Sequence, residues 1–154
     1  MPGGMARGLL LILGIVLSAT VASARPGEAL RDTESARFDA CGRGERINCV
    51  IDGDTFWYAG RKIRIADINT PEVSRPRCPR EAALGERASA RLLALLNQGA
   101  FTLESVDRDR DRDPYGRLLR TVTRDGASVG AVLVREGLAE EWQGTRGGWC
   151  CAAG

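Results

Sequence analysis

The chain reads Val50-Ile51-Asp52-Gly53-Asp54-Thr55 and, after a short interval, Arg64-Ile65-Ala66-Asp67-Ile68-Asn69-Thr70-Pro71-Glu72. Carboxylates, threonines, an amide and an arginine are concentrated in these two segments. Oxygen ligands hold hard divalent cations, a spare carboxylate can position or activate water, and arginine meets phosphate with a planar fork of donors. The mixture suits a calcium-assisted attack on a phosphodiester.

Histidine is absent from the 154 residues. Its absence excludes the Ser-His-Asp triad, histidine-ligated zinc and the commonest general base. Basic charge is nearly all arginine, with Lys62 as the only lysine. Arginine suits phosphate, but a coding bias explains the excess equally well, so composition alone is weak evidence for nucleic acid.

Local geometry brings the two motifs together. Residues 47–58 are rich in β-branched and aromatic side chains and predict one strand. A three-residue loop, Tyr58-Ala59-Gly60, leads into a second strand over Arg61–Ile68. In this hairpin Asp54 lies opposite Arg64, and a slip of one residue leaves them neighbours on different faces.

A helix follows the hairpin. Pro79 suits its first turn, and Gly99 can cap its end. Apolar residues recur at helical spacing, namely Leu84, Ala88, Leu92, Leu95 and Leu96.

Two further strands, Phe101–Val106 and Arg117–Thr123, flank a charged loop at Asp107–Asp113. Ser128 then caps a short helix that Gly137 closes. This order predicts a small mixed domain built around an antiparallel sheet.

The amino terminus has the parts of a secretory signal peptide. Arg7 precedes the apolar run 8–17, and Ala22-Ser23-Ala24 forms an A-x-A end. The alternative is a membrane anchor, although the run is shorter than the roughly 20 residues that span a bilayer. We expect cleavage of residues 1–24 after Ala24, export to the periplasm or the exterior, and no stable membrane association afterwards. Residues 25–44 are polar and irregular and predict a linker or arm.

The five cysteines all follow the predicted cleavage site. Disulfides are the default in an exported chain, and an odd count leaves at least one thiol over unless chains pair. Zinc is the rival, but the sequence offers no C-x-x-C pair and no histidine. The preferred pairs are Cys41 with Cys49 and Cys78 with Cys150, and connectivity stays open.

Each motif also has a structural explanation. Asp52-Gly53-Asp54-Thr55 can be a plain turn, and Thr70-Pro71-Glu72 an ordinary exit from a strand. The run Asp107–Asp113 fails the calcium-loop template, because Arg112 and Leu118 stand where glycine and glutamate are needed. It is interpreted as a solvated loop.

The tetrapeptide Pro114-Tyr115-Gly116-Arg117 is either a bare turn or a ligand contact. Tyr115 can stack on a base, and Arg117 can take phosphate. Gly116 lets the backbone approach a ligand.

Four ordered motifs resemble the thermonuclease, or staphylococcal nuclease-like, family. They are residues 50–55, 64–72, 113–117 and 132–139, and the resemblance covers about residues 46–142. It implies an α+β, mainly β fold, namely an OB-fold, a five-stranded Greek-key barrel with two or three helices. The nuclease-like domain would span 45–143, with a tail at 144–154.

The same resemblance implies a calcium-dependent phosphodiesterase that acts on DNA and RNA and leaves 3′-phosphates. We expect a monomer. Asp54 matches a calcium ligand, Thr70 a ligand through its backbone carbonyl, and Glu72 the general base beside the attacking water. The residues matching the phosphate-gripping arginines and the nucleotide-pocket tyrosine are Arg64, Arg117 and Tyr115.

The chain departs from the family pattern at two positions. Asn69 replaces a second calcium-binding aspartate; its amide oxygen can still ligate, but with less charge. Asp67 can share a face with it in a regular strand. Pro114 replaces a lysine, which removes one contact to substrate phosphate. The alternatives are a non-catalytic OB-fold module that binds nucleic acid or another ligand, and a structural or adaptor role in the envelope.

Overall fold

A computed structural model describes Met1, Gly3, residues 31–107 and residues 109–150. Apart from Met1 and Gly3, the predicted signal peptide at 1–24 lies outside these residues. The first part of the predicted arm, residues 25–30, also lies outside them. In the described part of the chain, no helix has the length and apolar character needed to cross a membrane.

Nine strands and two helices follow one another along the described chain. The strands are β1 Asp39–Ala40, β2 Cys49–Asp52, β3 Thr55–Tyr58, β4 Arg61–Ile65, β5 Ile68–Asn69, β6 Thr102–Ser105, β7 Leu118–Arg124, β8 Ala127–Ser128 and β9 Glu140–Glu141. The helices are α1 Pro79–Leu96 and α2 Val129–Arg135.

The main sheet is mixed. Its strands lie in the order β1-β2-β3-β4-β7-β6, β8 adds to β7, and β5 pairs separately with β9. β1–β2 and β4–β7 are parallel and the other pairs are antiparallel. A mixed sheet with two helices confirms the OB-fold-like α+β class, and the sheet that was predicted to be antiparallel also contains these two parallel pairs.

The predicted strand over 47–58 is two strands joined by a turn. The Asp52 carboxylate accepts a hydrogen bond from the Asp54 amide at 3.1 Å, which closes the turn locally. A Cβ on Gly53 would lie 2.6 Å from the Ala88 Cβ, so the turn also approaches α1 closely. Pairing with β4 therefore starts at Thr55, which lies opposite Arg64 in the position predicted for Asp54, and Asp54 is its neighbour in the turn.

The β3–β4 hairpin has a two-residue loop in place of the predicted three. Tyr58 pairs with Arg61, and Ala59 and Gly60 both have positive φ, at 48° and 72°. This geometry matches the twist of the flanking strands. The Asn48 side chain accepts the Ala59 N–H at 2.8 Å and supports the strained alanine.

Helix α1 begins at Pro79, as predicted, and ends at Leu96 with Asn97 as its cap, two residues before Gly99. The Asn97 side-chain amide exchanges two hydrogen bonds of 2.9 Å with the backbone of Phe38. Phe38 is 2% exposed and packs against Phe56, Tyr58 and Phe101. The segment from 31 to 44, predicted as a linker or arm, thus adds a ring to the core.

Helix α2 follows the predicted signals. The Ser128 hydroxyl accepts the Ala131 N–H at 3.1 Å, and Gly137 has a φ of 69° just beyond the helix end. The core between the helices and the sheet is built from buried apolar side chains, among them Ile63, Ile65, Ile68, Leu92, Leu96, Val122 and Leu133.

Two disulfides tie the ends of the domain. Cys41 is bonded to Cys49 with a Cα–Cα distance of 4.9 Å, and Cys78 to Cys150 with a distance of 5.8 Å. The first clamps the entry to β2, and the second joins the tail to the start of α1. Both are the pairs preferred from the sequence.

Gly85 is expected to resist replacement. A Cβ there would lie 2.9 Å from the backbone oxygens of Pro71 and Glu72. Gly85→Ala should lower the free energy of unfolding by about 1–3 kcal/mol, because overpacking outweighs the helix propensity of alanine. Urea unfolding followed by circular dichroism measures the change.

The matched control is Glu86→Ala at the neighbouring, exposed helix position. It should change stability by no more than about 0.5 kcal/mol. A Gly85→Ala protein as stable as the control would contradict the close approach of α1 to the loop at 71–72.

Candidate active site

A buried ion pair lies at the centre of the candidate site. The Arg64 guanidinium donates to the carbonyl oxygens of Ile65 and Ile68, the latter at 2.9 Å, and its Nη2 lies 3.2 Å from Asp54 Oδ2. Burial lowers the pKa of Arg64, the charge of Asp54 opposes that effect, and the nearby charge of Arg117 adds to it. Arginine nevertheless keeps its proton in proteins, so the site holds a fixed, oriented cation.

Asp54 is fixed from three sides. It accepts hydrogen bonds from the Thr55 hydroxyl at 3.0 Å and the Thr70 amide at 3.1 Å, in addition to its contact with Arg64. Burial and the neighbouring Asp54 charge raise the pKa of Asp52 to about 6. Two neighbouring carboxylates in partly buried surroundings repel each other, and a bound cation would relieve that repulsion.

Asn69 is oriented by a residue far away in the chain. β5 pairs with β9 so that Asn69 lies opposite Glu140, and its Nδ2 donates to the Glu140 carboxylate at 2.8 Å. The amide nitrogen is therefore directed to Glu140, and the amide oxygen is left for other partners. Asn69 is 2% exposed yet, with Thr70, contributes to a cavity of about 680 Å³.

The available donors fit a hard divalent cation. They are the Asp54 carboxylate, the Asn69 amide oxygen and the Thr70 backbone carbonyl, all oxygens, which such cations prefer. Clusters of three or more histidine, cysteine, aspartate or glutamate side chains are absent from the described residues. A metal here would have one carboxylate and two neutral oxygens as ligands, so its binding should be weak.

Asp67 does not take the place of the missing carboxylate. β4 stops at Ile65, so Asp67 lies in a turn and does not share a strand face with Asn69. Its Oδ2 accepts the Ser128 hydroxyl at 2.7 Å at the start of α2. Its Oδ1 is buried without a hydrogen-bond partner among the described residues.

Glu72 lies on the loop between β5 and α1, and its side chain is 33% exposed. It borders the same cavity as Asn69 and Thr70. Its carboxylate forms an ion pair with Arg146, a residue of the C-terminal tail. Because this contact is at the surface, a ligand with stronger negative charge can displace it.

Arg117 lies just before β7, whose parallel pairing with β4 brings it toward Arg64. Its Nε is 2.6 Å from Asp113, and its Nη1 is 3.5 Å from the Thr55 hydroxyl. The guanidinium also lies 5.5 Å from the ring centre of Tyr115, which is 83% exposed. Arg117 and Tyr115 border one cavity with Asn69, Thr70 and Glu72 and a second cavity with Arg64. Since Arg64 contacts Asp54, the structure brings the residues predicted for the site close together.

Several cavity residues were not predicted from the sequence. They are Lys62, Ser74, Arg75, Arg77, Glu81, Arg146 and Trp149. The preferred pairing of Cys78 with Cys150 was the signal that places the tail near this cavity. Glu140 had no such signal, because its role depends on the pairing of β5 with β9.

The family model described as staphylococcal nuclease homologue matches residues 62–147, more than half of the chain. The chain belongs to the staphylococcal nuclease homologue family. The chain is also 45% identical over 97 residues to "Endonuclease YncB" of Bacillus subtilis (strain 168), covering 60% of this chain and 45% of that protein.

A second relative has a similar degree of identity. "SPbeta prophage-derived endonuclease YokF" of the same organism is 44% identical over 97 residues, which cover 60% of this chain and 32% of that protein. The aligned part of the chain thus spans less than half the length of either curated relative. The family resemblance predicted from the four sequence motifs is confirmed.

The Asp113–Arg117 pair should stabilise the fold in a pH-dependent way. Burial opposes ionisation of Asp113, but hydrogen bonds from Arg117 and Tyr115 outweigh it, so the pKa of Asp113 falls below its ordinary 3.8. The contribution is present above pH 3.8 and is lost as the pH falls through the folded pKa. Asp113→Asn should cost about 1 kcal/mol at pH 7 and progressively less below pH 3.8.

Urea unfolding of both proteins across this pH range measures the difference. Asp125→Asn serves as the control, because Asp125 has a positive φ in an exposed turn that asparagine tolerates. A pH-independent gap between wild type and Asp113→Asn would contradict the assignment.

Proposed function

We propose that the protein is an exported, calcium-dependent nuclease that hydrolyses DNA or RNA and leaves 3′-phosphates. One observation carries the proposal: Arg117, Glu72 and the oxygen donors Asn69 and Thr70 border one cavity, next to the buried pair of Arg64 and Asp54. Cations that can bind phosphate thus lie beside a carboxylate that can take a proton.

The arginines would bind and polarise the scissile phosphate. Arg64 is held by carbonyls and Asp54, so it would meet a phosphate without losing rotational freedom on binding. The Nε of Arg117 bonds Asp113 and its Nη1 has only a long contact of 3.5 Å with the Thr55 hydroxyl, so its terminal nitrogens can turn to phosphate oxygens. Two positioned guanidinium groups stabilise charge that grows on a pentacoordinate phosphorus.

Glu72 would act on water. Once Arg146 turns to the substrate, the Glu72 carboxylate can take a proton from the attacking water, whose oxygen bonds to phosphorus. The bond from phosphorus to the 5′ oxygen then breaks, the leaving oxygen takes up a proton, and the phosphate stays on the 3′ oxygen.

A calcium ion, held by Asp54, Asn69 and the Thr70 carbonyl, would supply further positive charge for the phosphate. The oxygen chemistry of this donor set supports calcium over softer metals.

Export is part of the proposal. The predicted signal peptide with cleavage after Ala24 motivates it, and two disulfides are compatible with an oxidising compartment. We further propose a monomer that leaves the membrane after cleavage. Edman sequencing of protein recovered from the periplasm or the medium tests the cleavage site directly.

The central experiment incubates the purified chain with single-stranded DNA, duplex DNA and RNA, in calcium and in chelator. Mass spectrometry of the products identifies 3′-phosphate or 3′-hydroxyl ends. Cleavage in calcium alone, with 3′-phosphate ends, is expected. Binding without cleavage in either buffer would favour the non-catalytic OB-fold module, which the neutral Asn69 also favours.

Arg117→Lys tests the phosphate contact. Lysine keeps the charge but loses the planar fork, so turnover should fall by about a hundredfold or more. Arg64→Lys should show a similar fall together with a lower melting temperature, because the single lysine nitrogen cannot occupy the positions of both Nη1, which bonds Ile65 and Ile68, and Nη2, which lies beside Asp54. Initial rates of release of acid-soluble nucleotides measure turnover.

Arg124→Lys is the matched control, since Arg124 bonds the carbonyls of Gly99 and Ala100 outside the cavity. It should keep wild-type turnover. An Arg117→Lys enzyme as fast as this control would remove Arg117 from the mechanism.

Asn69→Asp tests the donor set. An aspartate would face the Glu140 carboxylate, so the calcium-free variant should lose stability. In Asn69→Asp with Glu140→Gln, the repulsion is relieved, and calcium affinity should rise on the order of tenfold, or about 1.4 kcal/mol. Calorimetric titration with calcium measures affinity independently of activity.

The matched control combines Asn69→Asp with Glu141→Gln. Glu141 lies opposite Ile68, so its replacement does not relieve the repulsion between Glu140 and the new aspartate. Calcium affinity equal in wild type and the Asn69→Asp, Glu140→Gln variant would show that Asn69 is not a ligand.

A further inference from the structure

The described part of the C-terminal tail, residues 144–150, is held beside the cavity at several points. Its disulfide joins Cys150 to Cys78, immediately before α1. Arg77 donates to the Gly147 carbonyl at 2.9 Å, and the Gly147 amide donates to Glu140 at 2.6 Å. A Cβ on Gly147 would overlap the Glu140 carboxylate, so glycine permits this close approach. The tail is therefore fixed in place as one side of the cavity, which Arg146 and Trp149 line.

Arg146 lies at the junction of two cavities. One, of about 680 Å³, contains Thr70 and Glu72, and the other, of about 580 Å³, contains Arg64 and Trp142. Arg117, Tyr115 and Arg146 border both cavities. A chain-like ligand can thus pass from one cavity to the other across these three side chains.

The residues that line the first cavity carry more positive charge than the binding of one phosphate requires. Its basic residues are Lys62, Arg75, Arg77, Arg117 and Arg146, against the acidic residues Glu72 and Glu81. The whole chain has a formal net charge of only +2, so positive charge is concentrated here. Exposed Tyr115 adds a surface on which a base can stack. Concentrated cations beside an aromatic ring suit a strand with several phosphates.

We propose that Arg146, positioned by the Cys78–Cys150 disulfide, is a substrate-binding residue that contacts a phosphate next to the scissile one. The inference rests on the proposed nuclease function and extends it to oligonucleotides of several phosphates. In the free protein Arg146 pairs with Glu72. Binding of a flanking phosphate transfers Arg146 from Glu72 to the substrate and frees the carboxylate in the same movement.

The test compares two substrates in calcium, a thymidine dinucleotide with one phosphodiester and a single-stranded decathymidylate. Arg146→Gln should raise KM for the decamer about tenfold and change KM for the dinucleotide by less than about twofold. Each phosphate contact on a single strand contributes about 0.7 to the slope of log affinity against log salt. For the decamer, the slope of log kcat/KM against log salt concentration should therefore be smaller in magnitude by about 0.7 in Arg146→Gln than in the wild type.

Arg91→Gln is the matched control. Arg91 pairs with Glu136 outside both cavities and should leave KM and the salt slope unchanged. Replacing both Cys78 and Cys150 by serine should reproduce the decamer effect, whereas replacing Cys41 and Cys49 should not. Melting temperatures of the disulfide variants separate lost positioning from unfolding, and Arg146→Gln keeps all disulfides.

Three results overturn the inference: an unchanged KM for the decamer in Arg146→Gln, an equal effect on KM for both substrates, or faster cleavage of the decamer, which would make the Arg146–Glu72 pair purely inhibitory. A wild-type protein that neither binds nor cleaves either substrate refutes the proposed function itself. If the wild type cleaves and Arg146→Gln has the same KM and salt slope, only the role of Arg146 is refuted.

Discussion

The burial of one guanidinium governs the rest of this structure. A buried charge is costly unless it is paired and its hydrogen bonds are satisfied. The chain satisfies Arg64 by stopping β4 at Ile65 and turning two backbone carbonyls toward it, while Asp54 supplies the opposite charge. Asp54 in turn accepts the Thr70 amide, which fixes the next segment. The positions of Asp54 and of the segment that starts at Thr70 follow from the need to satisfy a single arginine.

The same contacts serve stability and chemistry at once. Removal of Asp54 would take away a candidate metal ligand and leave Arg64 buried without its counter-charge. Glu140 likewise orients Asn69 and accepts the tail amide of Gly147. Substitutions in this region therefore need a stability measurement beside each activity measurement, because a loss of activity alone does not separate the two effects.

Local signals predicted much of the fold, and long-range pairings explain what they missed. Pro79 and Ser128 mark helix starts because each acts on neighbouring backbone groups. The turn at Gly53 was given only as an alternative to a continuous strand, because its β-branched and aromatic neighbours favour a strand, while its close approach to Ala88 depends on tertiary packing. Phe38 was missed because one aromatic in a polar segment carries no periodicity.

The parallel pairing of β4 with β7 has a consequence for how the protein is made. Ile63 pairs with Leu118, so the loop between them must close around the whole of α1 and β6. Non-local contacts of this kind slow folding, because the entropy of closing the loop is lost before the contacts form. A nascent chain on the ribosome acquires Arg64 long before Arg117. Synthesis thus separates in time the two cations that the finished molecule holds side by side.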